Sequence, residues 1–371
     1  MHMTITNRFF HFFRGYDWII TVVIFILTAL GLAAIYSVDL SRGESLTYFP
    51  TQLIAFFIGL LVFILARNVH KTRYESGARI IYILGLLLLI GVLFFGVTIR
   101  GTTGWFRVFG FSFQPAEFAK LALVLLFGWW MSKQGRRYYS LEFVLSSGIA
   151  AGLYVGLILL QPDLGSALVL VGIWFGLLLF SGTKKRYIAL LVGVVIATFV
   201  FGWFFLFQPY QKERLLTFVD PSRDPLDTGY NVTQSIIAIG SGKMFGRGLG
   251  FGSQSQLHFL PEAQTDFISS VIGEELGFVG LCILLILYFV LLWRFLRIAL
   301  SARDDFSSYT VLGIALLFFI QLVVNMGGAT GLLPVTGVTL PFVSYGGSSL
   351  IINFALVGIA ESIARGSKSA V

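Results

Sequence analysis

Charged residues and cysteine are scarce in this chain of 371 residues. Asp, Glu, Lys and Arg make up 12% of it, against about 25% in soluble globular domains. Together with a hydrophobic fraction of 57%, this excludes a soluble enzyme, a disordered chain and a nucleic-acid-binding module. The single cysteine, Cys282, excludes a disulfide framework and a CxxC metal site. The four histidines are too scattered to form a His-based metal cluster.

Long apolar runs are the dominant pattern. A membrane-spanning helix needs roughly 20 mainly apolar residues, and the sequence predicts ten such spans. No segment alternates with period two, and lipid contact excludes open strands. We therefore predict an all-α polytopic membrane protein, with residues 1–371 as one transmembrane domain. The predicted spans are Trp18–Ser37, Pro50–Ala66, Ile80–Ile99, Ala116–Met131, Phe143–Leu160, Leu164–Phe180, Tyr187–Phe207, Phe267–Trp293, Ser308–Met326 and Gly347–Ile363.

Lysine and arginine are unevenly distributed over the connections between these spans. Most lie on the side that holds both termini, as in the run Lys184, Lys185 and Arg186. Basic residues are enriched in cytoplasmic loops, which predicts a multi-pass protein of the bacterial cytoplasmic membrane with both termini in the cytoplasm. The net charge of +8 then reflects topology and attraction to anionic lipid, so we expect no nucleic-acid partner.

One connection, residues 208–266 between the seventh and eighth spans, is long and lies on the external side. It carries Asp-Pro turn signals at 220 and 224 and a series of glycines from 240 to 252. We expect a partly ordered lid on the outer mouth of the bundle. Gly246–Gly252 lacks the preceding strand of a dinucleotide fingerprint, and Gly240–Lys243 lacks the Ser or Thr of a P-loop. We expect no nucleotide, haem or flavin.

Ionisable residues at the edges of spans are candidates for function because they are costly in a membrane. Glu117 and Lys120 are three residues apart on the fourth span and can pair on one face. Asp163 opens the sixth span and Asp266 the eighth. All three acids therefore lie at a similar external depth, each at the N-terminus of a helix. Capping is the commoner explanation for any one of them, but the coincidence predicts a polar site.

The chemistry of this site suits a diphosphate head group at the outer leaflet. Helix N-termini attract phosphate, and a divalent cation, Mg²⁺ or Mn²⁺, could join a carboxylate to phosphate oxygens. Asp266 and Asp163 are the candidate ligands of that metal. Alternatively, Arg107, Lys243 and Arg247 stabilise the diphosphate charge directly.

Four motifs in this order resemble the SEDS family (shape, elongation, division and sporulation), and the resemblance covers nearly the whole chain. Three further segments, at 220–225, 234–242 and 253–256, resemble its RodA-like branch. The four motifs are QPAEFAK at 114–120, QPDLGS at 161–166, FLPEAQTDF at 259–267 with GEELG at 273–277, and PFVSYGGSS at 341–349.

The resemblance implies a peptidoglycan glycosyltransferase that polymerises lipid II during cell elongation, together with a class B penicillin-binding protein. It also implies that Asp266 is the essential aspartate, acting as general base in an inverting transfer from a polyprenyl-diphosphate-linked glycan. Glu117, Lys120 and Asp163 match further positions of the family motifs. Two positions depart from the family pattern. The Arg often found before Trp105 is replaced by Gly104, and Gln264 stands where His is frequent.

A lipid II flippase is the alternative, since intramembrane charges and glycine-rich helices also suit transport. A transporter would place its charged site near the midplane of the membrane and show paired inverted repeats. Here the acids lie at the outer edge, and no internal repeat is evident. A non-catalytic scaffold leaves the acids unexplained. The glycosyltransferase is therefore the predicted function.

Overall fold

The computed structural model describes residues 17–41, 46–99, 101–108, 111–134, 140–205, 212, 216–218, 220 and 228–368. Helices dominate these ranges, and three short strands follow the third helix. The helices are α1 (Trp18–Leu40), α2 (Tyr48–Asn68), α3 (Lys71–Phe95), α4 (Pro115–Gln134), α5 (Leu141–Leu159), α6 (Leu164–Phe180), α7 (Lys185–Phe205), α8 (Thr228–Ser241), α9 (Ser253–Gln256), α10 (Ile268–Ser301), α11 (Asp305–Ala329) and α12 (Gly347–Lys368). The strands are β1 (Val97–Ile99), β2 (Thr102–Val108) and β3 (Phe111–Phe113).

Eight of the described helices, α1, α2, α3, α5, α7, α10, α11 and α12, are long and apolar enough to cross a membrane. The other two predicted spans are also helical. Helix α6 is apolar but has only 17 residues, and α4 has 20 residues that include the buried Glu117 and Lys120. The prediction of an α-helical polytopic membrane protein is confirmed, whereas the count of ten crossings stays a prediction.

The strands form a small antiparallel sheet, which the expectation of helices alone missed. β1 pairs with β2, and β2 pairs with β3 with Arg107 opposite Ser112. The sheet lies in the connection between α3 and α4, where the exclusion of open strands by lipid does not apply. The predicted third span, Ile80–Ile99, is therefore too long at its end, because α3 ends at Phe95 and Val97–Ile99 form β1. We call the end of the bundle that carries this sheet the sheet end.

Helix α4 is almost entirely enclosed by protein. It packs against α3 and α11, while α2 packs against α12 and α10 against α1 and α11. Leu121–Phe127 are all buried, although the sequence of α4 has no polar face that would predict which side meets lipid. A charged side chain on this helix therefore has to find its partner within the bundle.

A buried charge network closes the end opposite the sheet. The Asp17 carboxylate, before α1, pairs with Arg294 of α10, and the Asp17 main-chain N–H donates to both Glu361 carboxylate oxygens of α12 at 3.2 Å. Arg67 Nε of α2 lies 3.9 Å from Glu361 Oε2. The start of the first helix and the last turns of α12 therefore lie at the same end of the bundle, as an even number of crossings requires.

Helix α10 is 34 residues long and is interrupted at Gly277, where φ is 69° and ψ is −166°. Glycine adopts this conformation without the strain that a Cβ atom would add. Segment 243–248 fills the interruption and bonds to the freed main-chain groups, which a membrane helix cannot leave unsatisfied. The bonds run from Phe278 N to Lys243 O (2.8 Å), Val279 N to Met244 O (3.0 Å), Arg247 N to Glu274 O (3.0 Å) and Gly248 N to Glu275 O (2.9 Å).

The predicted external lid is ordered where the structure describes it. Its residues 228–266 contain α8 and α9, and α8 packs on α10. Ser235 Oγ of α8 lies 2.6 Å from Ser270 Oγ and donates to Ala329 O at 2.5 Å. Most of residues 208–227, including 221–225 of one RodA-like segment, lie outside the described residues.

Candidate functional site

Asp266 lies in the turn before α10 and lines a small cleft. The helix begins at Ile268, and its N-cap is Phe267, whose side chain makes no capping hydrogen bond. The helix therefore starts one residue later than the predicted span, and the Asp266 carboxylate is not the N-cap group. The cleft is lined by Asp266, Val324, Asn325, Gly328, Ala329, Val335, Thr336, Gly337 and Val338.

The main chain of residues 264–266 is held by three separate hydrogen bonds. The carbonyl oxygens of the three residues accept, in order, from Tyr345 N at 2.8 Å, Ser344 Oγ at 2.6 Å and Asn325 Nδ2 at 3.1 Å. Buried carbonyl groups that are satisfied in this way fix the turn. The position of Asp266 is consequently set by α11 and by the segment that precedes α12.

Two further polar side chains line the same cleft and were missed by sequence reasoning. Asn325, only 4% exposed, donates from Nδ2 to Val338 O at 2.9 Å as well as to Asp266 O. Its Oδ1 and the buried Thr336 Oγ1 have no hydrogen-bond partner among the described residues. An asparagine inside an apolar span was a usable signal for the first. Nothing in the sequence around Thr336 distinguishes it.

Glu117 and Lys120 form the ion pair that their spacing indicates. Lys120 Nζ lies 2.8 Å from Glu117 Oε1, and the two residues are 2% and 4% exposed respectively. A buried charge needs such a partner because it has lost its hydration. The pair lies within the first two turns of α4, next to the sheet end.

Asp163 is the N-cap of α6, so capping accounts for this acid. Its Oδ1 accepts from Ser166 N at 2.9 Å, and its Oδ2 accepts from Gln114 Nε2 at 3.2 Å. Gln114 N in turn donates to Ser348 Oγ at 3.2 Å. The starts of α4, α6 and α12 therefore meet at the sheet end, joined by polar side chains.

Segment 335–338 links the surroundings of Asp163 to those of Asp266. A Cβ atom added at Gly165, two residues after Asp163, would lie 2.9 Å from Val338 Cγ2. The start of α6 thus packs directly on the segment that lines the Asp266 cleft. Segment 335–338 therefore contacts both the start of α6 and the cleft of Asp266.

The three basic candidates are exposed and lie apart from the cleft lining. Arg107 is on β2, in the sheet. Lys243 and Arg247 lie on the segment that fills the α10 interruption, and Arg247 Nη1 donates to Ser253 Oγ at 3.0 Å. No described contact joins any of them to Asp266. A diphosphate could contact these basic residues only if it extended outward from the cleft.

Glu274 and Glu275, which the sequence assigned to no chemistry, fasten the external loop. The buried Glu274 carboxylate accepts from Gln254 N at 2.8 Å and Ser255 N at 3.1 Å, at the start of α9. Glu275 Oε1 accepts from Ser37 Oγ of α1 at 2.5 Å. Both acids therefore act in the placement of the loop.

Asp266 and Asp163, the two predicted metal ligands, have different surroundings. Within the described residues no group of three or more His, Cys, Asp or Glu could hold a metal ion. Both Asp163 oxygens accept hydrogen bonds within the fold, and its role as a metal ligand stays a prediction. Asp266 lines the cleft, and Mg²⁺ commonly uses one carboxylate plus substrate phosphates, so the role of Asp266 as a metal ligand also stays a prediction.

Comparison with known proteins identifies relatives along almost the whole chain. The model of the cell cycle protein family that groups FtsW, RodA and SpoVE matches residues 17–369. The peptidoglycan glycosyltransferase MrdB of Escherichia coli K12 is 38% identical over 344 residues, 92% of either chain. Stage V sporulation protein E of Bacillus subtilis is 35% identical over 361 residues, which cover 95% of this chain and 98% of that protein.

Solved structures agree with these relatives. The crystal structure of the rod shape determining protein RodA of Thermus thermophilus matches with a TM-score of 0.72 and 31% identity, over 95% of this chain and 98% of that one. A chain from a peptidoglycan synthase complex, described as coordinating polymerization and crosslinking, matches with a TM-score of 0.79 and 33% identity over the same shares. The chain therefore belongs to the SEDS family of FtsW, RodA and SpoVE proteins, as its motifs indicated.

Proposed function

We propose that this protein is a peptidoglycan glycosyltransferase that polymerises lipid II at the outer face of the cytoplasmic membrane. Relatives that are 37–38% identical over nearly their whole length carry that activity in their names. The observation that supports it most directly is the placement of Asp266. This acid lines a cleft at the sheet end of a membrane bundle, and it is not the N-cap of the helix that follows.

In the proposed reaction, Asp266 is the general base. Its carboxylate takes the proton of the 4-hydroxyl of the acceptor sugar, and that oxygen attacks the anomeric carbon of the donor from the face opposite the diphosphate. The bond to the diphosphate breaks, its electron pair leaves with the polyprenyl diphosphate, and the α-linkage becomes a β-linkage. A positioned general base typically contributes 10²–10⁴-fold to the rate.

The departing diphosphate needs compensation of its negative charge, which the acids of the site cannot give. Arg107, Lys243 and Arg247 are the exposed basic residues on the elements nearest the sheet end. Asp266 is the residue of this cleft that would hold a divalent cation. When bound, such a cation would supply electrostatic stabilisation of the phosphate oxygens.

The assignment extends to location and partners. The excess of Lys and Arg on the side of the termini supports a cytoplasmic placement of both ends. Since a matching chain comes from a complex that coordinates polymerization with crosslinking, we assign a class B penicillin-binding protein as the partner that crosslinks the new glycan. The RodA-like segments at 234–242 and 253–256 support a place for this chain in the elongation machinery.

The decisive experiment is polymerisation by purified protein. The full chain, alone and with a class B penicillin-binding protein, is incubated with labelled lipid II, and glycan length is measured by gel electrophoresis. Asp266→Asn keeps the size of the side chain but not its basicity, so polymer should be lost. Asp304→Asn, the same change at the N-cap of α11 at the opposite end of the bundle, should retain activity. Wild-type polymer from Asp266→Asn would remove the general-base assignment.

A lipid II flippase is the second candidate, and the interruption of α10 favours it, because discontinuous helices are typical of transporters. Segment 243–248 occupies this interruption and satisfies its main-chain groups with hydrogen bonds, so the interruption is itself filled by protein. Liposomes that contain the protein separate the two candidates. Translocation of labelled lipid II without polymer would favour transport, and polymer without translocation favours the transferase.

A further inference from the structure

The Asp266 cleft contains polar atoms that the fold itself does not use. Asn325 and Thr336 both line the cleft, and their buried Oδ1 and Oγ1 atoms have no hydrogen-bond partner among the described residues. Buried polar groups in native proteins nearly always have partners, and an exception needs an explanation. A ligand that enters the cleft would provide one.

The orientation of the Asn325 amide is fixed by its neighbours. Its Nδ2 lies 3.1 Å from Asp266 O and 2.9 Å from Val338 O, two carbonyl oxygens that can only accept. The nitrogen must therefore be on that side, and the amide oxygen must face away from it. Asn325 thus ties the turn of Asp266 to segment 335–338, and its amide oxygen remains without a partner among the described residues.

We propose that Asn325 and Thr336 bind the sugar that reacts beside Asp266, with Asn325 Oδ1 accepting from a hydroxyl or acetamido N–H group and Thr336 Oγ1 bonding a second sugar oxygen. The proposal rests on the proposed glycosyltransferase function and names residues of its sugar subsite. Asn325 also acts as a positioning residue, because its Nδ2 holds the main chain of Asp266. A sugar is the ligand class that matches this wall, since it offers both donors and acceptors at neutral charge.

Thr336→Val gives the sharpest test. Valine replaces threonine at nearly equal volume, and the lost hydroxyl has no described partner in the protein, so stability should not fall. The matched control is Thr310→Val on α11, whose Oγ1 is likewise buried without a described partner but lies against Gly128 of α4, outside the cleft lining. Asn325→Ala is paired with Asn353→Ala, a buried asparagine of α12 that does not line the cleft.

Two measurements are made on each purified full-length variant: the initial rate of polymerisation against lipid II concentration, and direct binding of lipid II in detergent micelles. Thr336→Val and Asn325→Ala should raise KM and the dissociation constant about tenfold, the usual effect of a lost hydrogen bond that leaves a buried partner unpaired. Asn325→Ala should also lower kcat, because Asp266 loses its support. The two control variants should stay within about twofold of wild type.

The outcomes separate a sugar subsite from a structural role and from the proposed function itself. A structural role lowers the amount of active protein and the thermal midpoint while KM and lipid II binding stay unchanged, and this result overturns the proposal. The proposal is also overturned if Thr336→Val and Asn325→Ala need more Mg²⁺ for half-maximal rate but bind lipid II normally. That result would assign both oxygens to a metal. If wild type binds lipid II without polymerising it, the proposed function fails, while weaker binding by Thr336→Val still supports the subsite.

Discussion

Lys120 Nζ lies 2.8 Å from Glu117 Oε1 inside the bundle, with both side chains at most 5% exposed. Removal of one partner leaves the other charge buried and unpaired, which typically costs 3–5 kcal/mol. We predict that Lys120→Met alone destabilises the protein by about this amount, and that Glu117→Gln/Lys120→Met together costs clearly less than the sum of the single changes. Thermal unfolding in detergent of the wild type, both single variants and the double variant measures the coupling.

The surface pair of Lys133 and Glu75, 3.1 Å apart, is the matched control for that cycle. Because Lys133 is 59% exposed, its loss should cost at most about 1 kcal/mol. Additive effects for Glu117 and Lys120, as expected for independent sites, would show that the buried pair does not stabilise the bundle.

The helices and the contact between Glu117 and Lys120 could be predicted from the sequence, because both depend on residues that are close together in the chain. Apolar runs located the helices, and the spacing of Glu117 and Lys120 on one helix face indicated their contact. The support of Asp266 could not be predicted in this way. Its turn is held by Ser344 and Asn325, which are 78 and 59 residues away along the chain, and only the packing of α11 and the loop before α12 brings them there.

The interruption of α10 illustrates the same limit. A glycine at position 277 is compatible with a continuous membrane helix, and the apolar pattern continues through it. The break depends on segment 243–248, which supplies main-chain partners from 30 or so residues earlier in the chain. A capping role could be predicted for Asp163, which is the N-cap of α6, but Asp266 is not the N-cap of α10. The residue at which a helix starts depends on how far the preceding turn extends.

Gly277 should be one of the least replaceable residues of the chain. Its φ of 69° with ψ of −166° is a region that glycine alone adopts readily, and a Cβ atom there would lie 2.7 Å from Met244 C and O. We predict that Gly277→Ala lowers the free energy of unfolding by roughly 2 kcal/mol or more and loosens segment 243–248. Thermal unfolding and hydrogen exchange of that segment measure both effects.

Gly152→Ala is the control for this change. Gly152 lies within α5, and an added Cβ atom would meet no atom within 4 Å. Alanine in a helix is favoured over glycine by about 1 kcal/mol, so this variant should be as stable as wild type or slightly more stable. Equal behaviour of the two variants would show that the interruption at Gly277 is not present in the protein.

Asp304, the N-cap of α11 outside the membrane-spanning segment, should make stability depend on pH. Burial raises the pKa of Asp304, but hydrogen bonds from Lys71 and Ser307 and the charge of Lys71 outweigh it, so that the pKa lies below its usual value. The stabilisation is therefore fully present above the unfolded value near 3.8 and is lost as the pH falls through the lowered folded pKa. We predict that Asp304→Asn lowers the thermal midpoint at pH 7, and that this difference shrinks at acid pH.

The comparison needs a variant that removes the charge partner but keeps the cap. Lys71→Met leaves the Asp304 bond to Ser307 N, 2.9 Å, intact. Lys71→Met should lose only part of the stability that Asp304→Asn loses. On acidification, its stability should start to fall at a higher pH than that of the wild type. An identical pH profile for wild type and Asp304→Asn would contradict the assignment.

We propose a divalent cation as the group that compensates the negative charge at the cleft. Asp266 alone would repel a diphosphate, and the exposed Arg107, Lys243 and Arg247 make no described contact with the cleft. We predict that EDTA abolishes polymerisation and that Mg²⁺ or Mn²⁺ restores it, since carboxylates and phosphates together are the usual ligands of Mg²⁺. Asp163→Asn should leave the metal concentration for half-maximal rate unchanged, because both of its oxygens are already engaged. Full activity of metal-free protein in EDTA, with severe loss in a Lys243→Ala/Arg247→Ala variant, would instead assign charge compensation to the basic segment beside the α10 interruption.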